Sequence, residues 1–347
     1  MPVSKGKALA LWGLIVASGA LAQDLNLANI DAAMERGLQW VVSQRLDKGG
    51  FQSGYSSRLG LTGLGLLTLI KCGVPPEQPV IVEGFDSIRT RNYDLTYDVA
   101  VSILAFEALY TPSKMMKKSK DKSQMGMSAK VYALLCPKRD RKIVQKAIDF
   151  LIQNQSADGG WRYPGDGSDN SCTQYALLAL KGALRTGHKV PTALFIKACE
   201  RLLKVQEEKG PQVTWFDVPA ADGPIDEYLK PSNRRDSYDA MTTEERPKTH
   251  IGREDPNQIH ARGFGYGEPT EINASMTAAG LASLIICKSE LETRKEASAW
   301  WMENGDKVNW AIRDAAGWLA KNFAVDKNIG GTSNRWNQYY LYGLERA

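Results

Sequence analysis

Lys146-Ala-Ile-Asp-Phe150-Leu-Ile-Gln-Asn-Gln155-Ser-Ala-Asp-Gly159-Gly-Trp161 is the stretch that decides the fold. Ile148, Leu151 and Ile152 recur at helical spacing, so the segment begins as an amphipathic helix. A polar, glycine-rich turn ends it. A second helix is expected from Ser171, through Thr173, Leu177 and Leu180. It is apolar almost all round, the mark of a helix buried on every side.

The same unit recurs along the chain. The first copy carries Arg36-Gly-Leu-Gln-Trp40-Val, then Gln44, then Gly49-Gly-Phe51, with Thr62, Leu66, Leu67 and Leu69 on its second helix. A later copy carries Lys197-Ala-Cys-Glu-Arg201-Leu-Leu-Lys-Val-Gln206. Its turn, Gly263-Phe-Gly-Tyr266, follows only after a long insertion, and Thr277, Leu281 and Leu284 lie on the next helix. The last copy has Ala315-Ala-Gly-Trp318-Leu, then Gly330-Gly331, then an apolar helix over residues 336–347. Residues 81–91 and 96–110 read as a degenerate pair, giving about five pairs in all.

The recurrence has a physical reason. One amphipathic helix pair cannot bury its own apolar face, so neighbouring pairs must stack. Gly159 and Gly160 allow a positive-φ turn after the first helix, and Trp161 can then fold back to plug the gap to the next pair. Gln155 is placed to bond backbone groups left open at the helix end. Thr62, Thr173 and Thr277 stand near the starts of the second helices, where hydroxyls suit capping.

Residues 146–161 resemble the QW repeat of squalene and oxidosqualene cyclases: basic, small, two residues, aromatic, aliphatic, three residues, Gln, then Gly-x-Trp. The other copies match in part. On this ground the chain is identified as a member of the terpenoid cyclase and protein prenyltransferase superfamily, with prenyltransferase and squalene oxidase repeats over roughly residues 28–347. The resemblance implies an all-α, α/α-toroid fold, complete or as an open arc. Inner helices would line a cavity and outer helices would surround them.

Outside the repeats, residues 1–22 read as a cleaved signal peptide: Lys5 and Lys7, an apolar run over 8–22, and the small-x-small site Ala20-Leu21-Ala22. An uncleaved anchor is the alternative, although the run is shorter than the roughly 20 apolar residues of a comfortable span. Export to the periplasm or the exterior follows from the first reading, with residues 23–347 as one repeat domain and no later membrane span. The net charge of +5 is mild and scattered, which argues against a nucleic-acid partner. The five cysteines contain no CxxC, and Cys72, Cys172, Cys199 and Cys287 read as buried thiols in apolar helical runs. His188, His250 and His260 lack metal-ligand spacing. Two insertions break the rhythm. Residues 111–142, rich in Lys and Arg against Asp121 and Asp140, read as a solvated loop with a helical part, a membrane-surface role being the alternative. Residues 207–262 form a long polar loop, a length usually functional or disordered.

The resemblance also says which chemistry to look for. Class II terpene cyclases carry Asp-x-Asp-Asp-Thr at the head of an inner helix, and the middle Asp protonates an alkene. The matching stretch here is Asp169-Asn170-Ser171-Cys172-Thr173, so Ser171 replaces the acid. A serine hydroxyl cannot do that work, and Asp169 reads as a helix N-cap. Asp166 is off register, and Asn273-Ala-Ser-Met-Thr277 offers no acid. The Asp-Cys-Thr run of oxidosqualene cyclases is missing. Asp169 and Cys172 do not have the prenyltransferase zinc spacing, and the thioester motif of complement-type toroids does not occur. Tyr163, His260, Arg262 and Tyr266 are the residues a polysaccharide-lyase-like groove would use. Trp161, Tyr163, Phe264, Tyr266, Trp336, Tyr339, Tyr340 and Tyr342 could face an isoprenoid or a carbocation, or simply pack the core, while Asn337 and Gln338 could set polar groups among them. No residue is nominated as catalytic, and no metal or cofactor is expected. The expected function is a non-catalytic binding or scaffold module, holding a hydrophobic ligand in the cavity or a protein partner, with oligomerisation through the last helix pair. The alternative is a toroid enzyme on an isoprenoid-like or polymeric substrate.

Overall fold

The computed structural model describes residues 27–46, 49–51, 58–111, 124–163, 167–213, 259–331 and 336–346. The signal peptide expected over residues 1–22, Asp121, Asp166, His250 and the middle of the 207–262 insertion lie outside them. The fold is all-α. Its helices are α1 (Leu27–Ser43), α2 (Arg58–Lys71), α3 (Pro79–Arg89), α4 (Thr96–Tyr110), α5 (Gln124–Leu135), α6 (Lys138–Gln153), α7 (Asn170–Arg185), α8 (Thr192–Val205), α9 (Ala274–Leu291), α10 (Ser298–Lys321) and α11 (Asn337–Arg346). Among the described residues the only strands are the two-residue β1 (Gln212–Val213) and β2 (Ile259–His260). They pair antiparallel and tie the ends of the long insertion together.

The helices alternate in role. α2, α4, α7, α9 and α11 pack on one another in that order and form a central row. α3 lies on α2, α6 on α4, and both α8 and α10 on α9. Sequence dictates the difference. The central α4 buries residues on all its faces, among them Val99, Val101, Ile103 and Phe106. The flanking α6 buries only Val144, Ala147, Ile148 and Leu151, with Asp140 at its start. In chain order a flanking helix precedes each central one: α1 before α2, α3 before α4, α6 before α7, α8 before α9 and α10 before α11.

Three turns between paired helices share one construction. The backbone N–H of the turn aromatic donates to a threonine hydroxyl on the following central helix: Phe51 to Thr62 (3.1 Å), Trp161 to Thr173 (3.1 Å) and Phe264 to Thr277 (3.0 Å). The threonines therefore do not cap their helices. Asp169 and Asn273 do, accepting from the backbone N–H of Cys172 and Met276. The threonines instead fasten the turn to the helix it feeds. Gln155 also does more than close its own helix end, donating to Gly159 O (2.8 Å) and to Leu194 O of α8 (2.9 Å). Gln206 repeats this on Arg262 O and Ala311 O of α10. Each glutamine thus joins one pair to the next. Gln44 does not: its amide donates to Ser43 Oγ.

Gly159 has φ +94°, and a Cβ there would sit 2.2 Å from Lys197 O of α8. Gly49 repeats the arrangement, with φ +76° and Glu83 O of α3 at 2.3 Å. Glycine is required twice over, for the left-handed backbone and for the close approach of the next helix. Trp161, fully buried, plugs the junction and donates its indole N–H to Leu151 O.

The 111–142 segment differs from its sequence reading. Its described part contains α5, where Val131 and Tyr132 are buried, and the start of α6. Asp140 is buried beneath Arg89, which donates Nε to Oδ1 (2.9 Å) and Nη2 to Oδ2 (2.6 Å), while the Tyr110 hydroxyl also donates to Oδ2. An apparently solvated acid in a basic run is a lock between α3, α4 and α6. Cys72 falls just past the end of α2 and is half-buried rather than inside a helix; Cys136, Cys172, Cys199 and Cys287 are buried and all five thiols are free.

Candidate functional site

The stretch aligned with the cyclase acid motif starts α7. Ser171, where the acid would stand, is buried, and its hydroxyl lies 3.2 Å from the Tyr97 hydroxyl at the head of α4. Tyr97 stacks on Tyr163 with centroids 5.7 Å apart and packs against Tyr175 at 4.2 Å. Tyr175 in turn stacks with Tyr339 (6.4 Å) and Tyr342 (6.1 Å) of α11. The Tyr339 hydroxyl donates to Gln174 Oε1 at 2.9 Å. Tyrosine rings therefore fill the space where α4, α7 and α11 converge, touching one another. Gln174 is fully buried there, and its Nε2 has no hydrogen-bond partner among the described residues.

Electrostatics at this cluster are set by burial. Removing the tyrosines from water penalises the phenolate, so Tyr97 is raised well above its ordinary value and Tyr339 to about 12. These hydroxyls stay protonated and act as hydrogen-bonding groups. Burial also raises the Asp169 carboxyl above its usual range, opposed by the backbone N–H of Cys172. Asp169 Oδ1 accepts that N–H at 2.6 Å, so the one acid retained from the motif serves the start of α7. Tyr97, Ser171 and Gln174 contain no carboxylic acid. Asp98 of α4, a buried carboxylate next to Tyr97 in sequence, is itself engaged.

The residues suggested by a lyase-like groove are not brought together. Arg262 donates Nε to Asp314 Oδ2 (2.6 Å), and the His260 backbone N–H donates to Asp314 Oδ1, with His260 Nδ1 at 3.0 Å from Gly210 O. Both are spent holding the neck of the insertion on α10. Tyr163 and Tyr266 lie near Asp169 instead. The other aromatics divide: Trp161, Phe264 and Tyr340 are fully buried packing, whereas Tyr163, Tyr266 and Trp336 are exposed. Asn337 donates to Val325 O rather than joining the cluster. Among the described residues no group of three His, Cys, Asp or Glu could hold a metal ion.

Sequence reasoning missed Tyr97, Gln174 and Tyr175. Tyr97 sits at the head of the degenerate pair, and Tyr175 lies two residues past the conspicuous Thr173, so an aromatic at each central-helix head was the available signal. A second missed element is the buried guanidinium of Arg201 on α8. It donates to Asn170 Oδ1 (2.6 Å), Ser168 O (3.0 Å) and Asp158 Oδ2 (3.2 Å), fixing the loop that leads into α7.

No family model matches this sequence. A stretch of 87 residues is 37% identical to drimenyl diphosphate synthase from Streptantibioticus cattleyicolor, covering 22% of this chain and 15% of that protein. The likeness thus spans a small part of both chains, and no helix among the described residues is long and apolar enough to cross a membrane. An all-helical fold joined to this partial likeness fits a terpenoid-cyclase-like class.

Proposed function

We propose that this chain is an exported α/α-toroid-type repeat protein that keeps a cyclase-like scaffold and works as a binding or scaffold module rather than as a cyclase. One observation carries the reading: at the head of α7 the acid position is Ser171, paired with Tyr97, and Asp169 is occupied as the cap of that helix. Alkene protonation needs a carboxylic acid held protonated and aimed at substrate. The tyrosines that would line a chamber pack against each other instead. A protein partner is the better-supported occupant, because Phe323, Val325 and Trp336, between α10 and α11, and Leu341 on α11 leave apolar side chains exposed.

A second reading is favoured by a separate observation. The partial match is to a terpene synthase, and Asp169 is raised toward the protonated form, so a cyclase-like enzyme on a hydrophobic isoprenoid is the alternative. Native mass spectrometry of the mature protein, purified from a membrane-containing extract, separates the two. A defined oligomer or protein complex without a lipid-sized adduct supports the binding module. A stoichiometric lipid-sized adduct supports the enzyme.

A further inference from the structure

The described residues contain a cleft of about 430 Å³ on the flanking side of the molecule, away from the tyrosine cluster. Arg89, Arg91, Asn92 and Tyr93, at the end of α3 and in the loop after it, form one wall. Ile143, Lys146, Asp149, Phe150 and Gln153 form the other; 143, 146, 150 and 153 recur at helical spacing and share one face of α6. The volume is within the usual range for a small-molecule site, roughly 300–1,000 Å³.

Charge gives the cleft a sign. Three cations line it against one carboxylate, Asp149, which accepts from Gln145. Arg89 is committed to Asp140 and Asp86. The side chains of Arg91 and Lys146 have no ion-pair or hydrogen-bond partner among the described residues, yet both line the same cleft. A guanidinium and an ammonium left unpaired on the two walls of one solvent-open cleft favour an anion between them. The amides of Asn92 and Gln153 add donors at the same walls, a set that suits several acceptor oxygens rather than two. The Tyr93 ring, Ile143 and Phe150 supply apolar wall for an attached carbon body.

From this we infer that the α3–α6 cleft binds a phosphate monoester carrying an apolar group, with Arg91 and Lys146 as the anion-binding cations. The inference does not depend on the proposed function, since it uses a different face. The mature chain is titrated calorimetrically with phenyl phosphate, and separately by flotation with phosphatidylcholine vesicles containing phosphatidic acid. Both are repeated with Arg91→Gln/Lys146→Gln and with a control of equal charge change, Lys189→Gln/Lys321→Gln. The first pair is exposed and unpartnered, so that variant folds, which circular dichroism verifies. Saturable binding in either arm, weakened about tenfold or more in the cleft variant but not in the control, is the expected result. Phenyl phosphate binding assigns a soluble ligand; vesicle binding alone assigns a lipid headgroup. No saturable binding in either arm, or equal losses in the two variants, overturns the inference.

Discussion

Replacing Thr173 by Val tests the joint that recurs through the fold. Thr173 and Trp161 are both fully buried, and the threonine hydroxyl accepts the Trp161 backbone N–H at 3.1 Å. Valine keeps the branched shape and a similar helix propensity, so neither a cavity nor a helix penalty confuses the result. What changes is that a buried N–H loses its acceptor, which costs about 1–3 kcal/mol. Thr173→Ser is the informative companion. It retains the hydroxyl and deletes a methyl, a loss of about 1 kcal/mol by burial. The account therefore predicts Val to be the more damaging replacement although Ser changes the volume more. Urea unfolding followed by far-UV circular dichroism gives both values. In the heat the Val variant should melt roughly 1–4 °C lower, since an unfolding entropy of about 2.1 cal/mol/K per residue makes about 1 kcal/mol worth roughly 1.4 °C in a chain of this length. A Ser variant less stable than the Val variant would show that Thr173 acts by packing alone and would refute the shared-joint argument for Thr62 and Thr277 as well.

Gly159→Ala should destabilise by about 3 kcal/mol, because a Cβ at φ +94° would also meet the α8 backbone at 2.2 Å; a thermal midpoint unchanged from the parent would contradict it. Asp140→Asn tests the α3–α4–α6 lock through pH. Burial alone would raise the Asp140 carboxyl, but hydrogen bonds from Arg89 and Tyr110 hold it below its ordinary value. A depressed folded-state value stabilises above the unfolded pKa, about 3.9, and that stability is lost as pH falls through the folded value. The parent should thus exceed the variant by about 3 kcal/mol near neutrality, and the gap should close below about pH 4. A gap that stays constant down to pH 2 in chemical denaturation would mean that the carboxylate charge is not what matters.

Helix identity was readable because it depends on local spacing: apolar positions at Ile148, Leu151 and Ile152, then Gly159-Gly160-Trp161. The Asp169 cap was readable for the same reason, since its partner is three residues away. Longer-range bonds were not. Gln155 reaches Leu194, 39 residues on, and the Thr173 hydroxyl accepts a hydrogen bond from a turn 12 residues back, so their types were visible and their partners were not. Asp140 was hidden by its basic neighbours, because composition cannot tell a solvated acid from one enclosed by Arg89, 51 residues away. The contact of Tyr339 with Gln174 spans 165 residues and depends on how the central helices are placed side by side, which periodicity does not encode.

The central claim, that the cyclase acid has been lost from the head of α7, is tested most directly by assay for cyclisation. The purified protein is incubated with linear squalene and with a linear prenyl diphosphate, and the hydrocarbon extract is analysed by gas chromatography–mass spectrometry. With Ser171 and Tyr97 in the acid's place, the account predicts no product beyond the protein-free control for either substrate. A cyclised product formed in proportion to protein concentration, and abolished by Asp169→Asn, would contradict it.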